Sequence, residues 1–314
     1  MPPYSSMPVK LPDWLSAQQR AICECVATEQ CHLVVNAGAG TGKTTTSVEA
    51  LRVLPRGQTA AMLAFNKPIA DYMATKVPPG TVAKTYHSIT YGAVRNQWPF
   101  LANMSPNTDR TWQMLPESIP GTTRRLICRL VSICKNQLVD GTDSNELLSL
   151  CTEYDIDLYN DREGATRWGD TPELVLNYTP QILQASKTPT AASGIDFDDM
   201  LWLPVIWQLP MRKFDFLVVD ESQDLNKVQH VITFMVGKRI MIVGDRHQAI
   251  YKFRGASASS MDDLANQMAA TPRGVKHFPL TVTRRCPILG VALARTIVPE
   301  FDYPLENTQW EQQA

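Results

Sequence analysis

Apolar residues recur along the chain at two spacings. Short, near-continuous apolar runs at Leu33–Val35, Thr59–Phe65, Phe214–Val219 and Arg239–Val243 predict strands buried on both faces, with a shorter one at Thr81–Lys84. Between them the spacing turns helical. Ala21, Ile22, Cys25 and Val26 fall on one face of a helix predicted over 16–29, with Ser16 as its N-cap. Further helices are predicted after residue 46, from Asn66-Lys67-Pro68 to about residue 76, and from Thr85 to about residue 98. Pro55-Arg56-Gly57 and Pro78-Pro79-Gly80 read as turns. Strands alternating with helices in this way predict an α/β fold, a parallel sheet covered by helices.

From 99 to 189 the alternation stops and only helices are predicted. These are 122–138, with Ile127, Leu130, Val131 and Cys134 on one face, then 143–154, and one opened by Thr171-Pro172-Glu173. This block reads as an inserted all-helical subdomain. Arg124, Arg125, Arg129 and Lys135 on the other side of 122–138 read as an ordinary solvated face. The strand pattern then resumes, so 1–98 and 190–276 form one α/β domain around the 99–189 insertion. Residues 1–14 read as an extended arm, with prolines at 2, 3, 8 and 12.

The strand ends carry the candidate chemistry. AGAGTGKTTT at 37–46 stands between a strand and a helix, the arrangement of a P-loop. Its members are Ala37, Gly38, Ala39, Gly40, Thr41, Gly42, Lys43, Thr44 and Thr45. The glycines let backbone N–H groups close around a polyphosphate. Lys43 adds a point charge, and the Thr44 hydroxyl suits a magnesium ion. The strand ending at Val219 runs into Asp220-Glu221, and the one ending at Val243 into Gly244-Asp245. Asp220 is placed to hold the metal and Glu221 to polarise an attacking water.

Composition narrows the partners. With 314 residues and a net charge of −1, the chain does not advertise a polyanion partner over its whole surface, so any nucleic-acid site must be a local groove. Seven cysteines are scattered with no C-x-x-C pair, and Cys23, Cys25 and Cys31-His32 read as buried thiols rather than a metal site. The odd count beside a P-loop points to a reducing, intracellular compartment, cytoplasmic or nuclear. The N-terminus has no apolar signal region, and no apolar run reaches membrane-spanning length.

Eight segments in order resemble the UvrD/Rep-type superfamily 1 DNA helicases. They are LSAQQRA (15–21), AGAGTGKTTT, LAFNKPIADYM (63–73), TYHSITYG (85–92), DFDDML (196–201), VVDESQDLN (218–226), IVGDRHQAIYKFRGA (242–256) and LTVTRRCP (280–287). The resemblance implies a RecA-like sheet, ATP and Mg2+ as nucleotide and metal, and single-stranded DNA as partner, with 3′ to 5′ movement. It implies that Gln19 reads adenine, that Gln248 couples nucleotide state to DNA, and that Arg285 reaches the γ-phosphate. It places Phe65, Asn66, His87, Tyr251 and Phe253 against DNA, the aromatics by base stacking. The family's N-Y-R pattern here is Thr283-Arg284-Arg285, so Arg284 replaces the tyrosine that stacks on adenine, and a guanidinium plane can take that place. Residues 277–314 read as the start of a second RecA-like domain, with no match to the family's last two motifs. The alternative reading is an ATP- and DNA-binding module without helicase activity of its own, needing a protein partner that carries the second motor domain.

Overall fold

In a computed structural model, the protein is described at residues 11–159, 170–248, 260–285 and 288–297. In chain order the elements are α1 (Ala17–Thr28), β1 (His32–Ala37), α2 (Lys43–Arg52), β2 (Ala60–Ala64), α3 (Lys67–Ala74), β3 (Thr81–Thr85) and α4 (Tyr86–Gln97). The helical block follows: α5 (Arg110–Gln113), α6 (Gly121–Gln137), α7 (Ser144–Glu153) and α8 (Asp170–Ser186). Then come α9 (Phe197–Ile206), β4 (Phe214–Val219), α10 (Lys227–Val236), β5 (Gly237–Gly244), α11 (Ser260–Ala269), β6 (Val275–Leu280) and α12 (Ile288–Ile297).

The six strands form one sheet in the order β3-β2-β4-β5-β1-β6, and every neighbouring pair is parallel. The expected α/β class with a parallel sheet is therefore observed. Alternation of side chains splits the strands between two cores. Leu33, Val35, Phe216, Val218, Met241 and Val243 pack under α1, α2 and α3. Val34, Leu217, Val219, Ile240 and Ile242 face the opposite side, against α10 and α11. Both faces are covered, which is why these strands read as unbroken apolar runs.

A third core lies within the helical block, built on Ile127, Leu130, Val131, Leu147 and Leu183. It also takes Val94 from α4 and Met200, Trp202 and Leu203 from α9, while Leu201 of α9 joins the sheet core. Helix α9 is thus buried on both sides, as its sequence FDDMLWLPVI suggests.

Two expectations need correction. The division at 276/277 cuts through β6, which pairs with β1 from His32↔Val275 to Ala37↔Leu280, so the first sheet runs to Leu280. Strand β6 was not legible because VKHFPL is half-exposed and carries a proline, a residue tolerated on an edge strand. The basic side of α6 is not a plain solvated face either. Lys135 is 1% exposed, Arg124 stacks 4.0 Å over Trp112, and Arg129 donates to the carbonyls of Tyr154 and Asp155. Arg125 and Arg129 stay exposed, while Arg124 is half-buried and Lys135 buried.

Candidate nucleotide site and the adjoining cavity

The loops after all six strands leave the same edge of the parallel sheet, the edge where open α/β sheets bind ligands. After β1 the P-loop turns at Gly40 (φ 72°) and Gly42 (φ 86°), left-handed conformations that favour glycine. Thr41 Oγ1 donates to the Gly38 carbonyl at 2.9 Å, closing the loop. Helix α2 starts at Lys43 behind a Gly42 N-cap that offers no side-chain acceptor, so its first-turn N–H groups face the loop as an anion site. Ala37 and Gly38 are buried, Ala39, Gly40, Gly42, Lys43 and Thr44 half-buried, and Thr45 exposed.

Lys43 Nζ lies 3.0 Å from Glu221 Oε2, joining the P-loop to the end of β4. Glu221 has φ 49° and ψ 46°, a strained left-handed backbone for a non-glycine residue. The same Oε2 accepts from Gln223 Nε2 at 2.9 Å, while Gln223 Oε1 accepts from the Asp245 N–H at 3.0 Å. Gln223, 3% exposed, therefore braces the Glu221 carboxylate against the end of β5. Sequence reading missed it. The signal lies in Gly244, where an added Cβ would clash with Gln223 Oε1.

Asp220 is buried, and burial followed by the Glu221 charge pushes its pKa up to about 6, against the pull of Lys43. A buried carboxylate beside a second one, reached by Lys43 of the P-loop, fits a divalent cation.

The remaining expected nucleotide residues divide. Gln19 is 1% exposed, and its Nε2 donates to Thr46 Oγ1 at 3.0 Å while its Oε1 accepts from the Ser16 N–H at 3.0 Å. Both ends of this amide are engaged, so contact with adenine requires these bonds to exchange. Its neighbour Gln18, also missed, grips Thr281 through the Thr281 N–H (3.0 Å) and Oγ1 (2.9 Å). The chain leaving β6 lies on the P-loop: Thr283 Oγ1 donates to the Ala39 carbonyl and the Arg284 N–H to the Gly40 carbonyl, both at 2.8 Å. A Cβ at Gly40 would stand 2.5 Å from that of Arg285. Arg284 and Arg285 are exposed beside the loop. Gln248 is exposed in a short 3-10 turn after β5, its N–H donating to the Asp245 carbonyl at 3.0 Å.

Next to this site lies a cavity of about 400 Å3, lined by Phe65, His87, Phe197, Asn136 and Asn226 among others. His87 is held neutral at ordinary pH, its pKa lowered by burial, and its ring meets Phe197 edge-on at 5.9 Å. Phe197 is 50% exposed, a further aromatic that sequence reading did not single out. Asn66 is exposed and caps α3, its Oδ1 accepting from the Ile69 N–H at 2.9 Å. Tyr251 and Phe253 lie outside the described residues.

Behind Phe197 the N-terminus of α9 is locked to the helical block. Arg110 Nη1 lies 2.6 Å from Asp199 Oδ2, and Lys135 Nζ lies 2.8 Å from both Asp196 and Asp199. Asp198 accepts from Ser132 (2.6 Å) and Asn136 (3.0 Å), and Asn136 Oδ1 accepts from Asn226 at 2.7 Å. Burial alone would lower the Lys135 pKa, but the Asp199 and Asp196 carboxylates outweigh it and leave it raised.

The sequence profile of the UvrD/REP helicase N-terminal domain matches residues 15–269. Among curated proteins, the chain is 28% identical over 307 residues to "ATP-dependent DNA helicase UvrD1" of Mycobacterium tuberculosis (strain ATCC 25618 / H37Rv), covering 84% of this chain and 37% of that protein. It is 26% identical over 268 residues to "F-box DNA helicase protein 1" of Schizosaccharomyces pombe, covering 79% and 29%. It is 26% identical over 269 residues to "ATP-dependent DNA helicase Rep" of Escherichia coli (strain K12), covering 76% and 37%. The chain thus spans 29–37% of the length of these relatives.

Proposed function

The chain belongs to the UvrD/REP helicase N-terminal domain family, and from that premise we propose that it is the ATP-binding half of a motor that moves 3′ to 5′ on single-stranded DNA. The observation that carries the reading is the Lys43–Glu221 pair, braced by Gln223 and set between the P-loop and the buried Asp220, beside an aromatic-lined cavity.

In this reading the P-loop N–H groups and Lys43 hold the phosphates, which draws Lys43 away from Glu221. Glu221, still braced by Gln223, then orients the attacking water and takes its proton as the bond to the leaving diphosphate breaks. Thr44 and Asp220 would hold a magnesium ion, which would supply neutralisation of phosphate charge. Gln19 and Arg284 serve adenine, and Arg285 the transferred phosphate. Gln248 relays nucleotide state to the DNA side. Phe65, Asn66, His87, Tyr251 and Phe253 serve DNA, and Phe197 joins them, because an exposed ring at the mouth of the cavity suits sequence-blind stacking.

Phosphate release with and without single-stranded DNA, for the wild type and Lys43→Ala, tests this. DNA-stimulated turnover in the wild type, lost in the variant, supports it. Equal rates in both proteins sink it. ATP binding without turnover returns the chain to the binding-module reading.

A further inference from the structure

Far from the nucleotide loop, at the opposite end of β1, the C-terminal end of α1 meets the start of the strand. Cys25 Sγ and Cys31 Sγ are 3.7 Å apart, and Cys31 Sγ is 3.8 Å from Glu29 Oε2. One ligand atom from each of the three residues falls within 4.8 Å of the others. We propose that Cys25, Glu29 and Cys31 bind a thiophilic divalent cation of the zinc type, clasping α1 to β1.

The geometry is that of a tetrahedral site. Two zinc–thiolate bonds of about 2.3 Å at the tetrahedral angle set their sulfurs about 3.8 Å apart, close to the spacing seen here. The backbone of the site is held from outside the ligand set. Arg239 donates to the carbonyls of Cys25 (3.0 Å), Val26 (2.8 Å) and Cys31 (2.8 Å), and the Glu29 N–H donates to Cys25 O at 3.0 Å. The loop therefore does not have to fold around the ion, so little ordering cost opposes binding.

Charge is also accounted for. Two thiolates and a carboxylate around a divalent cation leave one negative charge, and Arg239 stands against it. Lys276 now bridges both oxygens of Glu29, so it keeps one and yields Oε2 to the metal. Water fills the fourth position. The set differs from the cysteine–histidine run considered in the sequence. Cys23 is not among the converging ligands, and His32 Nδ1 accepts from the Ile240 N–H at 3.0 Å, so Glu29 takes the place of either.

Binding expels two thiol protons.

The test is cobalt(II) titration of the full chain, reduced with a phosphine, followed by displacement with zinc. The expected result is the intense visible bands of a tetrahedral cobalt–thiolate centre, saturating at one equivalent and bleached by zinc. Cys31→Ser should lose the bands, Cys134→Ser should keep them, and Glu29→Gln should weaken affinity about tenfold or more. Cys31 is partly exposed, so its replacement by serine leaves the fold intact, which circular dichroism verifies. Absence of the bands in the wild type, or undiminished bands in Cys31→Ser, overturns the proposal. The readout does not depend on ATP turnover, so it stands or falls apart from the motor reading.

Discussion

Two of the buried charge clusters in this protein are handled in opposite ways. At the junction between α9 and the helical block, Arg110 and Lys135 are set within 2.6–2.8 Å of Asp196 and Asp199. At the end of β4, Asp220 is buried with a second carboxylate beside it, and among the described residues Lys43 opposes them. The first cluster neutralises itself and holds a shape. In the second, two carboxylates face one lysine, and that excess of negative charge suits it to a divalent cation. A buried charge is thus structural or chemical according to whether its partner is built into the chain.

The sharpest test of the contrast is Glu221→Gln. It removes the proton acceptor while keeping the shape, so turnover should fall about 10²–10⁴-fold, with nucleotide binding retained in a fluorescence titration. Retained turnover would place the acceptor elsewhere. Next is Arg110→Met. It leaves Asp199 short of a cation in a buried site and should cost about 3–5 kcal/mol in denaturant unfolding. A loss below about 1 kcal/mol would break the contrast, because the junction would then not depend on its matching.

The smallest effect is in pH. Asp220 is raised from 3.8 to about 6, so the folded protein holds this proton more tightly than the unfolded chain does. Its contribution to stability is therefore lost as pH rises through about 6. Cation binding must displace the same proton. Magnesium–nucleotide affinity should fall about tenfold per pH unit below that value, with proton release visible by calorimetry in two buffers. Asp220→Asn should remove the dependence.

The legible parts were those written in local spacing. The P-loop, the Asp220-Glu221 pair and the helical insertion each follow from a few neighbouring residues and their periodicity. The missed parts depend on partners far apart in the chain. Gln223 matters through Asp245, 22 positions on, and Asn136 through Asn226, 90 positions on. Lys135 reads as a surface lysine because α6 alone does not reveal Asp196 and Asp199, which the start of α9 brings to it. Strand β6 escaped because an edge strand needs neither an apolar run nor a full set of N–H donors.

The strand's exit adds a mechanical consequence. Thr283 and the Arg284 N–H are tied to the Ala39 and Gly40 carbonyls, and no side chain fits at Gly40 between loop and chain. The end of β6 is therefore fastened directly to the loop between β1 and α2. The loop and the strand end share a hinge, so a shift of the loop at Gly40 is passed to residues 281–285 without slack.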